Sequence, residues 1–135
     1  MYKTQRGVAF ENIMRHRVEA GLKQREAEFR AEHTETSNLQ LLQYVRQCAR
    51  EMGHTPNGCE VVGGSYIAER FGGWGNVVRL CGLPKPGPAP KWERRLKVKQ
   101  EYEYQLKLFK REKLAKKQAR EQAKAEKAMK IGVME

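Results

Sequence analysis

Gly53-His54-Thr55-Pro56-Asn57-Gly58-Cys59-Glu60, followed by Ile67, Arg70, Phe71-Gly72-Gly73-Trp74 and Cys81-Gly82-Leu83, is the stretch that decides the fold. On its N-terminal side Leu41, Leu42, Val45, Cys48, Ala49 and Met52 form an apolar stripe at helical spacing. The stripe stops at Gly53, a residue free to take the left-handed conformation that ends a helix. Asn57 and Glu60 have capping-box spacing for a short second helix, while Asn57-Gly58 is equally a turn dipeptide; Gly63-Gly64 closes the segment under either reading. Ser65 is an N-cap residue for a third helix, with Ile67 and Phe71 four residues apart on one face. Gly72-Gly73 turns the chain, and Trp74, Val77, Val78 and Cys81 line a fourth helix that ends with Gly82 at C′ and Leu83 folding back on Val78, as in a Schellman motif. The expected core is Leu41, Val45, Met52, Ile67, Phe71, Trp74 and Val78. A domain of ~45 residues buries too little surface to be stable alone, so a neighbouring element must complete it.

These residues, from Leu39 to Leu83, resemble one copy of the homing-endonuclease-associated (HNH-associated) repeat, whose pattern runs roughly G-H-x-P-[ST]-x-x-E and, after a gap, [ST]-[IL]-x-R-R-F-G-S-W-N-x-A-L-x-A-A-G-L. The resemblance implies a helix-turn-helix-like nucleic-acid-binding unit of phage or mobile-element proteins, not an active site, and it favours a helix over a plain turn at Asn57 to Glu60. It covers about a third of the chain. Two positions depart from the pattern: Glu69-Arg70 stands where two arginines are usual, and Gly75 follows Trp74 in place of asparagine.

Outward from the module, the periodicity of Phe10, Ile13, Met14, Val18, Leu22 and Phe29 predicts an amphipathic helix from Val8 to Glu32, bent or interrupted at Gly21, where glycine costs roughly 1 kcal/mol relative to alanine. A polar link, His33 to Ser37, supplies Ser37 or Asn38 as the next N-cap. Pro84, Pro86, Pro88 and Pro90 predict an extended, semi-rigid spacer. Beyond it, Lys91 to Lys130 has no Gly or Pro and reads as one continuous helix of about 60 Å. Its first half carries Trp92, Leu96, Val98, Tyr102, Leu106, Phe109 and Leu114 for docking; its second half has almost no apolar face. The expected organisation is therefore all-α: residues 1–37 an N-terminal helix and link, 38–83 the module, 84–90 the linker, 91–135 a long basic helix and tail.

Charge is unevenly shared. The chain carries a formal +11, and residues 91–130 alone hold fifteen Lys/Arg against six Glu. Concentrated positive charge on a near-neutral module is the footprint of polyanion binding, since each phosphate contacted releases condensed counterions. A solvated charged helix, with pairs such as Glu112 to Lys116 and Glu126 to Lys130, is the plainer alternative. A membrane-surface helix fits worst, for want of an apolar face.

Several functions are disfavoured. Cys48, Cys59 and Cys81 match no zinc spacing, and His16, His33 and His54 are isolated, so no metal centre, cofactor site or hydrolytic arrangement can be assembled; the expectation is a non-enzymatic protein without cofactors. No apolar run approaches the ~20 residues that span a bilayer, and Met1-Tyr2-Lys3-Thr4 lacks a signal peptide's apolar stretch, which leads us to expect a cytoplasmic protein. With Ile67 and Phe71 turned inward, Ser65, Tyr66, Glu69 and Arg70 are expected to face outward, either as a solvated face or as one that meets nucleic acid. The expected nucleic-acid contacts are Ser65, Tyr66 and Arg70 on the module and Arg94, Arg95, Lys110, Arg111, Lys113, Lys116, Lys117, Arg120 and Lys124 along the tail, whether for DNA or RNA. The alternative is an interaction factor that docks on a nucleoprotein complex, such as a ribosome or CRISPR effector, through the apolar stripes of its flanking helices.

Overall fold

A computed structural model describes residues 5–134; the readings made on Met1 to Thr4 and Glu135 lie outside the described residues. The fold is all-α, with five helices among the described residues: α1 Gln5–Glu32, α2 Asn38–Met52, α3 Gly64–Phe71, α4 Trp74–Leu80 and α5 Leu96–Met134. Single 3-10 turns lie at Gly58–Glu60 and Trp92–Arg94.

The module folds around α2, α3 and α4. Ser37 is the N-cap of α2 and shares a reciprocal capping box with Gln40, while Gly53 ends the helix at φ 76°. α4 ends in the expected Schellman motif: Gly82 N–H donates to Arg79 O at 3.0 Å and Leu83 N–H to Val78 O at 3.1 Å. Leu41, Val45, Ile67, Val77 and Cys81 are buried together, and Phe29 from the C-terminal end of α1 completes the cluster. Phe71 and Trp74 pack against this core half-buried, and Met52 is likewise only half-buried, so the expected core is displaced toward Val77 and Cys81.

The short second helix forms as a single 3-10 turn, Gly58–Glu60, with Asn57 at its N-cap and the Asn57 N–H on the Glu60 carboxylate. Three local expectations are corrected. The N-cap of α3 is Gly63, at φ 82°, instead of Ser65, and the Glu26 carboxylate reaches across from α1 to accept the Gly63 N–H with both oxygens at 2.9 Å. That contact satisfies the N-cap residue's own N–H, the group that the glutamate of a capping box serves. Gly21 neither bends nor interrupts α1: it is buried where α5 comes closest, and a Cβ there would lie 2.7 Å from Glu101 Oε1. Finally, the basic helix is not continuous from Lys91. Arg94 and Arg95 close a 3-10 turn, Arg95 is extended, and α5 starts at Leu96.

α1 and α5 run antiparallel, pairing Phe10 with Phe109, Arg25 with Glu101 and Glu26 with Lys97. Met14, Val18 and Val98 are buried in the seam, each worth roughly 1.5–3 kcal/mol against full exposure. Glu101 is also buried there, with the Arg25 guanidinium 3.3 Å from its carboxylate. The proline segment, residues 84–90, has no regular secondary structure and is held at its middle and its far end: Asn57 Nδ2 donates to Gly87 O and Arg95 Nε donates to Pro90 O. The module and the long helix are thus joined by a fixed strut.

Candidate nucleic-acid interface

From Lys110 to Gly132 every residue of α5 is exposed. A 39-residue helix is about 58 Å long, and its partner α1 has only 28 residues, so the distal half projects beyond the helical pair. Within it, Lys110, Lys113, Lys117, Arg120, Lys124 and Lys127 follow one another at steps of three and four residues. That spacing puts all six on one face, a cationic stripe about 26 Å long within an arc of ~100°. Lys116 lies beside it. Glu121 borders its other edge, while Arg111, Glu112 and Glu126 fall on other bearings. The opposite face holds Arg111, Ala115, Gln122, Glu126 and Met129, too little apolar surface to bury in a bilayer.

Glu112 is withdrawn from this face by α1. Arg17 grips it with two hydrogen bonds, at 2.9 and 3.0 Å, and these, with the charges of Arg17 and Lys116, hold its carboxyl below the usual range against a smaller opposing effect of desolvation. The expected pairing of Glu112 with Lys116 is therefore secondary to one with Arg17. Lys113 rests its ammonium 4.8 Å from the centre of the Phe109 ring, a cation–π contact that orients the start of the stripe.

The other expected contact residues are placed differently. Ser65 is exposed, as is Glu69, whose carboxylate meets Arg30 of α1 at 2.9 Å. Tyr66 and Arg70 do not face outward: the Tyr66 hydroxyl and Arg70 Nη1 both donate to the His33 carbonyl, at 3.1 and 3.3 Å, and fasten α3 to the C-terminal end of α1. Arg94 is exposed at the foot of α5, while Arg95 is half-buried in its bond to Pro90. Seven expected residues, from Lys110 to Lys124, therefore share one projecting rod, and those of the module are not part of it. Lys127 extends the stripe. Its three-four spacing was visible in the sequence, but counting net charge alone does not reveal it.

The signature residues of the module are engaged with one another. Trp74 Nε1 donates to Pro56 O at 2.9 Å, and its ring covers Gly58. His54 Nε2 lies 3.0 Å from Glu60 Oε1, and the Asn57 N–H donates to Glu60 Oε2 at 2.7 Å. Burial pushes the Glu60 carboxyl up, but the Asn57 backbone, the His54 ring and the Asn57 amide outweigh it and hold it below the usual range. A carboxyl depressed on folding stabilises the fold above its unfolded pKa, ~4.3, and that contribution fades as pH falls through the lower folded value. The module should accordingly lose stability below about pH 4, and Glu60→Gln should be less stable than the parent at pH 7 while narrowing the gap in acid. Urea midpoints at pH 7 and pH 3 measure this; a gap that stays constant would remove Glu60 from the cause.

Burial pushes Cys48 and Cys81 up, and the Cys81 thiol donates weakly to Leu42 O at 3.6 Å. Among the described residues no group of three or more His, Cys, Asp or Glu is placed to hold a metal, and no helix is long and apolar enough to cross a membrane.

Comparison of the chain with curated proteins and with solved structures returns no match. The unit from the cap of α2 to the Schellman turn after α4, with its Trp74–Pro56 and His54–Glu60 ties, is where a family does match: residues 36–84 fit the homing endonuclease associated repeat, in a single copy.

Proposed function

We propose that this protein binds nucleic acid without catalysing a reaction, in the cytoplasm of a bacterium and in the setting of a phage or mobile element that its repeat suggests. The observation that carries the reading is the cationic stripe of α5: six Lys/Arg on one face, fully exposed, on a helix with no protein partner there among the described residues. Such a face matches a row of phosphates, which reward it by counterion release, and the opposite face, charged and short of apolar residues, offers a membrane nothing to bury. Lys110, Lys113, Lys116, Lys117, Arg120, Lys124 and Lys127 supply affinity. Arg94 adds charge at the foot of the helix, and Ser65 is the one expected module contact left open to solvent. Tyr66 and Arg70 act one step back, by fixing α3 against α1.

The test is direct titration of the full chain against labelled single-stranded DNA, duplex DNA and RNA, followed by fluorescence anisotropy. Binding at low salt that weakens as salt rises is expected. Absence of binding to all three at low salt would end the reading and favour an interaction factor that docks on protein.

A further inference from the structure

Beside the seam of α1 and α5, upstream of the stripe, lies an open groove of about 630 Å³. Val18 and Val98 form its buried floor, and Trp92 and Tyr102 stand in its walls, the first half-buried and the second 39 % exposed. Its size is within the range of small-molecule sites. Two aromatic rings left partly open over an aliphatic floor offer a flat apolar ligand surfaces to stack against. Arg15 already holds its guanidinium 5.2 Å from the centre of the Trp92 ring, a planar cation on which a further planar group can stack.

The charges around this groove identify the ligand. Glu11, Glu93 and Glu103 belong to its lining, so a bare phosphate is repelled from the interior. A nucleobase with an exocyclic amino group is not: carboxylates accept from such donors, as Glu and Asp do from cytosine. Lys99, also in the lining, opens the way out. On α5, Lys99, Tyr102, Leu106, Phe109 and Lys113 follow at steps of three and four residues, so the groove and the cationic stripe share one continuous face of the helix. From Tyr102 to Lys113 is about 16 Å along the axis.

We infer that the groove between α1 and α5 is a nucleobase-stacking site, and that the polymer this protein takes is single-stranded nucleic acid, with unstacked bases entering at Trp92 and Tyr102 and the backbone continuing along Lys113, Lys117 and Arg120. A duplex keeps its bases stacked within the helix and can use the stripe alone. An aromatic platform joined to a basic track is the combination that binds single strands with little sequence preference. This inference rests on the nucleic-acid reading above and narrows it.

Three labelled oligonucleotides of about 15 nucleotides separate the two: a base-bearing single strand, an abasic backbone of equal length and a duplex. The full-length protein should bind the base-bearing strand roughly tenfold or more tightly than the abasic one. Trp92→Ala and Tyr102→Ala should each erase most of that preference without changing the slope of log affinity against log salt, whereas Trp92→Phe should keep it. Thermal melting shows whether each variant is folded, and exposed Tyr102 remains informative if Trp92→Ala is not. Equal affinity of the parent for base-bearing and abasic strands overturns the stacking site and leaves the phosphate-binding stripe standing. A folded Tyr102→Ala with the parent's preference overturns it too, and failure to bind any of the three overturns the nucleic-acid reading along with it.

Discussion

Gly64→Ala should strongly destabilise the repeat. A Cβ at Gly64 would lie 1.9 Å from Gly58 O and 2.9 Å from Gly58 C, and both are backbone atoms that cannot rotate aside. Relief requires moving the 3-10 turn at Gly58–Glu60, which carries the buried Glu60 carboxylate, or lifting α3 from the core, which exposes Ile67. Neighbouring Gly63 has no slack either: it sits at φ 82° with the Phe29 ring where its Cβ would be. The cost should be roughly 3 kcal/mol or more, the upper end of what overpacking exacts, against a total stability of ~5–15 kcal/mol. Gly75→Ala is the internal control. Its Cβ would meet nothing within 4 Å, and alanine in α4 should stabilise by up to ~1 kcal/mol. Thermal melts of the two variants should move in opposite directions; a Gly64→Ala protein that melts with the parent would mean that α3 and the turn do not approach as described.

Ending the chain after Leu114 should flatten the salt dependence of nucleic-acid binding by roughly three units of log affinity per unit of log salt. This truncation keeps Glu112 on Arg17 and leaves the α1–α5 seam whole, but removes Lys117, Arg120, Lys124 and Lys127 from the stripe. Each phosphate contacted contributes ~0.7 to the slope on a single strand and ~0.9 on a duplex, so the four stripe cations account for about three units, and Lys116, removed with them, for up to about one more. Between 50 and 200 mM salt about three units are ~60-fold in relative affinity. Identical slopes for the two proteins would assign the projecting helix to solvent or to a protein partner.

What could be read in the sequence was whatever depends on near neighbours. Ser37, Gly53 and Gly82 cap helices within a few residues of themselves, and each does so in the structure. The same locality made Trp74 and Val78 legible as inward-facing positions. The errors arise where a distant segment decides. Gly63, at the N-cap of α3, has its N–H held by Glu26 on another helix; Tyr66 and Arg70 turn toward α1 because the His33 carbonyl ends up beside them. Gly21 reads as a weak point in a lone helix, but Glu101 and Gln105 of α5 occupy the space where a side chain would go. Glu69 departs from the repeat's pattern and finds Arg30 on α1 as a partner, which ties the departure to the flanking helix. Of the candidate interface, the charge of the tail was evident, while its confinement to one face required the helical period to be followed residue by residue.

The unbroken α5 works like the shaft of a key. Its inner end is clamped by α1 and by the strut at Pro90, so the bearing of every cation on the free end is set by turns counted from the clamp. Adding one residue near Phe109 would advance the tip by only about 1.5 Å but swing the whole stripe through ~100°, away from the groove at Trp92. Adding seven would lengthen the shaft by about 10 Å and return the stripe nearly to its original bearing. Length in this tail is therefore free to vary in heptads, while single-residue changes are mechanical faults.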